Sequence, residues 1–171
     1  VFTTYFSWTG VALCALSYSL RMFAITGFYH RYFAHRTYRM GRAMQFFAAL
    51  LGATATQKGA LWWAAHHRLH HKESDTAADP HNSRDGFLHS HWLWFLYKES
   101  AHTDFESIPE LARFRELRLL DRFWYLPPLL FGCALFAAGG WHWVVWGYFV
   151  STFLTSNATY TINSLMHYWG K

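Results

Sequence analysis

Charge is missing from both ends of this chain. No Asp, Glu, Lys or Arg occurs in residues 1–20, and none occurs in the 44 residues from Phe123 to Met166. All ten acids lie between Glu73 and Asp121, and 13 of the 15 Lys and Arg lie between Arg31 and Arg122. Cysteine is scarce as well: Cys14 and Cys133 both sit in apolar stretches, where they read as small hydrophobes and leave no disulfide framework. No basic segment precedes the first apolar stretch and no small-residue cleavage site follows it, which argues against a secretory signal. Internal repeats and low-complexity segments are absent too.

What the chain has in plenty is apolar and aromatic surface. Of 171 residues, 53% are hydrophobic and 21% aromatic, with ten Trp and sixteen Phe. That exceeds the usual share of a soluble domain. A membrane-crossing helix takes about 20 apolar residues. Val1–Phe28 holds one such crossing, with Arg21 as its only charge, and Phe123–Met166 is long enough for two. Gly139-Gly140 is the natural turn between those two, and Pro127-Pro128 marks a helix entrance or a kink. Ala43–Gln57 is also uncharged, but at fifteen residues it is expected to lie in the interface or re-enter. The fold class expected is all-α: an integral-membrane, multi-pass helical bundle with a histidine-rich helical cap on the cytoplasmic side. Basic residues stay cytoplasmic, so Tyr29–Arg122 is placed there, and the net charge of +5 reads as orientation and contact with a lipid bilayer, with no nucleic acid as partner.

Twelve histidines are present. His30 and His35 form HRYFAH where the first apolar span ends. His67, His70 and His71 lie in HHRLHH, and His167 closes NSLMH where the last span ends. By the parity of the crossings, all of these reach one face of the membrane. Positions i, i+3 and i+4 share a helix face, so His67, His70 and His71 can converge, as can Asn163 and His167. His30 and His35 lie about 140° apart around an ideal helix, so they face one point only if the helix unwinds. Otherwise they serve different metals, and two metals fit this better than one. Imidazole alone does not name the metal, and the paired Glu-x-x-His motifs of a carboxylate-bridged bundle are not supplied. His66 reads as a group orienting a ligand from behind. His81, His89, His91, His102 and His142 read as structural, with His142 on the far side of the membrane.

HRYFAH followed by RTY, then HRLHH, ADPHNSRDGF and NSLMH, resembles the acyl-CoA desaturases of the stearoyl (delta-9) type, over about Tyr29 to Gly170. The resemblance implies a di-iron centre held by nine histidines and one asparagine. By motif, His30 and His35 match the first box, and His67, His70 and His71 the second. His167 matches the later single ligand, and Asn163 the asparagine that reaches a metal through water. The family's third box, HNxHH, and its first span do not occur in residues 1–171. The resemblance therefore implies an incomplete desaturase domain with about three of four spans, expected to be inactive by itself.

The family reaction removes two hydrogens from an unactivated acyl chain, usually between the ninth and tenth carbons, using dioxygen. Two electrons come from a haem- or ferredoxin-type donor with its reductase. An acyl chain has no polar handle near the reacting carbons, so its position must come from a long apolar tunnel. Trp62, Trp63 and Tyr160 are candidates for its wall, Gln57 and Thr56 for its bend. The two tryptophans read equally well as an interfacial aromatic belt, as do Tyr160 and Trp169. Where animal members carry an Arg-Asp pair that engages coenzyme A, Ala65-His66 stands here. Lys58 and Lys98 remain as phosphate partners, so the acyl group could arrive on coenzyme A, on a carrier protein or in a lipid. The rival readings are an acyl-lipid desaturase, a histidine-box hydroxylase acting on alkanes or sterols, and a membrane metal carrier. ADPHNSR with NSLMH favours desaturation. A metal carrier would set its ligands along the spans, where only His142 occurs.

Overall fold

The computed structural model describes residues 5–169, apart from the Tyr168 side chain. The first four residues of the Val1–Phe28 stretch and the end of the NSLMHYWGK segment, at Gly170, lie outside these. Among the described residues every regular element is helical.

Helix α1, Trp8–Phe23, starts where Ser7 caps it, its hydroxyl accepting from the Gly10 N–H at 3.0 Å. It runs without a break into a π-helical segment, Ala24–Ala34. Together they form one apolar helix of 27 residues, about 40 Å long, against a hydrocarbon core of about 30 Å. Helix α2, Arg42–Ala53, is too short to cross. It buries Gln45, Ala48, Ala49 and Gly52 and leaves Met44, Phe46 and Phe47 exposed. Helix α3, Ala60–Glu73, carries the second histidine cluster. Short turns of helix follow, at Ser83–Asp85, His89–Leu93, Trp94–Leu96 and Glu99–Ala101, then α4, Pro109–Ala112, and α5, Arg115–Arg122.

Helix α6, Leu126–Val144, opens with Pro127 and Pro128 in its first turn, where a missing N–H costs nothing. At Gly139 and Gly140 the helical path breaks, Gly140 taking φ 64°, a conformation that favours glycine. The chain doubles back there. Phe131 and Tyr148 lie with ring centroids 6.1 Å apart, whereas an unbroken helix would separate them by about 25 Å. The return path is a π-helical segment, Val145–Val150, then α7, Ser151–Asn163, and α8, Leu165–Trp169. The reversal sits beside the start of α1: His142 Nε2 lies 2.8 Å from Ser7 Oγ, and its ring stacks on Tyr5. His142 is thus at the end of the bundle opposite the other clusters. Small residues allow close approach, since a Cβ at Gly10 would fall 2.8 Å from the Trp146 ring. Most of the apolar surface of these helices faces outward: in the most apolar stretches only 28% of residues on Trp8–Ala34 and 11% on Leu126–His167 are buried.

Arg21 is the one charge on α1, and it is buried. Its guanidinium donates to Thr152 Oγ1 at 2.6 Å, to Thr54 O at 3.2 Å and to Ser17 O at 3.3 Å, and also meets Ser151 Oγ. Phe131 and Tyr148 present their ring faces to it. Every donor finds an oxygen or a ring, which is what a charge in apolar surroundings requires. One side chain thereby ties α1, the end of α2 and α7 together.

The core lies under the cap, where the π-helical end of α1 meets α2, α3 and α5. Tyr29, Phe33, Ala48, Ala49, Leu61, Ala64, Ile108 and Leu117 fill it. Gly52 is needed there, because a Cβ would run into the Tyr29 ring. The Tyr29 hydroxyl donates to Ala49 O at 3.1 Å. Full burial of each large side chain contributes about 1.5–3 kcal/mol, so this core holds the first histidine box against α2 and α3.

Candidate metal centre

His30 and His35 do face one point, and the reason is the π-helix. In an α-helix they would diverge. Here the chain closes i→i+5, with the His35 N–H donating to His30 O at 3.0 Å, which brings residue 35 back over residue 30. Their Nε2 atoms are 3.1 Å apart. The π-helical turn thus brings both rings to one point. The helix is widened rather than unwound.

On α3, His67 and His71, four apart, join them. His67 Nε2 is 3.0 Å from His35 Nε2 and 3.0 Å from His71 Nε2. Arg68, between the two, donates from Nε to Ala34 O at 3.0 Å and from Nη2 to Phe33 O at 2.9 Å, and pairs with Glu110 at 2.8 Å. It holds the last carbonyls of the π-helix and so sets one histidine box against the other. Trp63 stacks on His67 at 4.6 Å.

Protons cannot satisfy this group. A neutral imidazole nitrogen offers one N–H or one lone pair, yet Nε2 of His35 and of His67 each face two other ring nitrogens. A cation serves all four. With metal–nitrogen bonds of about 2.1 Å, neighbouring ligand nitrogens at right angles lie about 3.0 Å apart, and tetrahedral ones about 3.4 Å. The separations of 3.0–3.1 Å are short enough for these nitrogens to share one cation. The rings are ready for it: burial, with repulsion from His71, His30, His35 and His70, pushes the His67 pKa down to about 2. Burial, then the neighbouring His35 and His70, lowers His71 too. Ligating imidazoles must be neutral.

His70 does not share that point. It turns to a second, buried group with Asp79 and His81, whose potential ligand atoms lie within 4.8 Å of one another. His70 Nδ1 is 2.9 Å from Asp79 Oδ2, and the His70 ring lies 4.1 Å from His81 and 5.0 Å from His167. His167 Nδ1 is 3.2 Å from both Asp75 oxygens. The expectation that His67, His70 and His71 form one ligand face is thus corrected: i and i+4 go one way, i+3 the other. His81, read from the sequence as structural, belongs to the second group. It is buried, its Nδ1 finds no hydrogen-bond partner, and burial pushes its pKa down to about 3. Burial alone would raise Asp79, but the bonds from His70 and the Asp75 N–H and the charges of His81 and His70 outweigh it and hold the carboxyl low. The ring contacts His35–His71, His71–His70 and His70–His167, at 4.8, 5.6 and 5.0 Å, join residues from both ends of the chain.

A cavity of about 490 Å³ opens onto the first group, lined by His30 and His67 together with Ile25, Thr56, Gln57, Trp62, Trp63, Tyr160 and Asn163. That is within the usual range for a small-molecule site. Gln57 Nε2 donates to Thr159 Oγ1 at 2.9 Å across its wall, and Thr56 Oγ1 lies 3.3 Å from the Tyr148 hydroxyl. Lys58 also lines it, but its ammonium donates inward to Ser100 O at 3.0 Å and sits 4.4 Å over the Trp62 ring. Burial, partly offset by Asp121, lowers its pKa. Lys98 is exposed and lies outside this lining. Trp169 is exposed on α8. His66 does not reach the four-histidine group; its Nδ1 lies 2.9 Å from Trp62 O and its ring stacks on Trp62. Cys14 is buried, Cys133 is exposed, and both are free thiols.

Sequence reasoning overlooked Asp75 and Asp79. The signal available was their place in the DTAADPHNS stretch between the two groups, but no spacing rule ties a loop acid to a distant histidine.

Known proteins align over nearly the whole chain. The Fatty acid desaturase family matches residues 6–171. A sn-1 stearoyl-lipid 9-desaturase of Anabaena variabilis is 33% identical over 96% of this chain and 61% of its own length. A sn-2 palmitoyl-lipid 9-desaturase of Nostoc sp. (strain 36) is 33% identical over 97% of this chain and 60% of its own length. An acyl-CoA C20 Delta5-desaturase of Anemone leveillei is 31% identical over 96% of this chain and 54% of its own length. The chain thus spans a little over half the length of these relatives, all of which are desaturases by name. On a family match that runs over all but the first five residues, the chain belongs to the fatty acid desaturase family.

Proposed function

We propose that these residues form the iron- and acyl-binding part of an integral-membrane desaturase, which places a cis double bond at the delta-9 position of a saturated fatty-acyl chain. The observation that carries this reading is the four-imidazole group opening directly onto an apolar cavity. Overall, one –CH2–CH2– unit, dioxygen, two electrons and two protons become –CH=CH– and two water molecules. Two iron ions supply the oxidising power from dioxygen that an unactivated C–H bond demands. His30, His35, His67 and His71 would hold one of them, and His70 and His167 the other, with Asn163 in the cavity lining.

The chain's own residues bind, bend and dry the substrate. Trp62, Trp63, Ile25 and Tyr160 exclude water from the cavity, and the Gln57–Thr159 latch adds a polar contact to its wall. Trp63, stacked on His67, fixes the distance between wall and metal ligand. We place the spans in the bilayer with both histidine groups on the cytoplasmic side. There a haem- or ferredoxin-type donor and its reductase deliver the electrons. As for the carrier, a coenzyme A ester needs cations at the cavity mouth, yet Lys58 is bound inward and Lys98 lies outside the lining. That geometry supports a lipid-linked acyl chain, the second reading from the sequence, over acyl-CoA.

The test is expression of the natural gene in a desaturase-deficient host with analysis of its fatty acids. A new double bond at a fixed position, first in membrane lipids, is the expected result. A hydroxylated product would assign the protein to the hydroxylases instead.

A further inference from the structure

His70 and His167 each face a carboxylate through Nδ1, and both carboxylates come from one short loop after α3. Asp79 faces His70 Nδ1 at 2.9 Å and Asp75 faces His167 Nδ1 at 3.2 Å. None of the four histidines of the first group has such a partner among the interactions of the described residues. The loop is built to present these acids. The Asp75 N–H donates to Asp79 Oδ2 at 2.9 Å, the His81 N–H donates to Asp79 Oδ1 at 3.1 Å, and Ser83 Oγ donates to Asp75 Oδ1 at 2.8 Å. Asp75 takes φ 58°, so the turn is held in a conformation that a non-glycine residue adopts only when its surroundings fix it.

We infer that Asp75 and Asp79 are positioning residues: they hold His167 and His70 with the proton on Nδ1 and the lone pair on Nε2, aimed at the second iron. A carboxylate behind a ligating imidazole fixes its tautomer and ring orientation and raises its basicity. Each half of the centre thus has its own means of orientation. In the first group, helix geometry and Arg68 aim the rings. In the second, His70 comes from α3 and His167 from α8, elements far apart in sequence, and the loop joins them. Asp79 is buried and Asp75 only partly so, which makes Asp79 the stronger of the two. His81 packs its ring 4.1 Å from that of His70, and its Nδ1 lies 3.8 Å from Asp79 Oδ1.

This rests on the di-iron reading above, and the test separates the two. The natural protein containing these residues is purified in detergent, loaded with ferrous iron, and its iron content and Mössbauer spectrum are followed against a competing chelator. Two irons per unaltered chain are required by the di-iron reading, and their absence overturns it and this inference together. With two irons present, Asp79→Asn is expected to weaken one of them about 10- to 100-fold while leaving the other unmoved, and Asp75→Asn to weaken the same one less. At saturating iron the isomer shifts stay as in the unaltered protein, because neither acid is itself a ligand. Asp79→Glu restores most of the affinity. Equal affinities for both irons in both Asn variants, or a changed isomer shift at saturation, overturns the inference alone. Asp75, the less buried of the pair, carries the test if the Asp79 variant fails to fold.

Discussion

The two histidine groups solve the same problem with different parts. The first is assembled from two helices, one wound as π and one as α, and its four imidazoles crowd to within hydrogen-bond distance without a carboxylate among them. The second draws His70 from α3 and His167 from α8 around a loop, and every imidazole it presents has an acid nearby. A group built on one or two rigid helices can be aimed by winding and packing alone. A group drawn from remote stretches needs connectors, and here Asp75 and Asp79 supply them.

The largest effect is expected from His67→Ala. His67 Nε2 touches two other ligand nitrogens, so its loss empties the first group. One iron should vanish, the second remain, and desaturation in the complemented host fall below detection. An equal loss of both irons would show that the two groups are one unit. Next, His81→Ala removes the ring packed on His70 and is expected to weaken the second iron by about tenfold, leaving the first unmoved; chelator competition reads this.

Gln57→Ala breaks the latch to Thr159 beside the first group. The expected outcome is a mixture of double-bond positions with both irons retained, seen by mass spectrometry of the fatty acids. A single unchanged position would remove the latch from the substrate path. Gly52→Ala drives a Cβ into the Tyr29 ring beneath the π-helix. It should destabilise the fold by about 1–3 kcal/mol, and weaken the first iron more than the second.

The smallest effect is expected from pH on the metal-free protein. Folded His67 and His81 have pKa values near 2 and 3, below the unfolded value of about 6.5. The unfolded chain therefore takes up protons first. Stability is complete above about pH 6.5 and falls as pH is lowered. Thermal melting between pH 7.5 and 5 should show a falling midpoint, less steep by about one proton in His67→Ala. A flat profile would mean that these rings are solvated.

Much of this was legible in the chain itself. Uncharged ends, Pro127-Pro128 and Gly139-Gly140 specify a helical hairpin, because a buried charge is costly and only glycine takes φ near 64° without strain. The clusters HRYFAH, HHRLHH and NSLMH announce candidate metal ligands and place them at one end of the bundle. Periodicity, however, fixes only the angle of a residue around its own helix. Which histidines share a point depends on how the helix is wound and on what packs against it. That is why the π-helical closure of His30 on His35 could not be read off a five-residue spacing, and why His70 parts from His67 and His71. The acids behind His70 and His167 were hidden for the same reason. A hydrogen bond of about 3 Å is a statement about three-dimensional proximity, and only the tertiary fold brings a loop after α3 against a histidine near the other end of the chain.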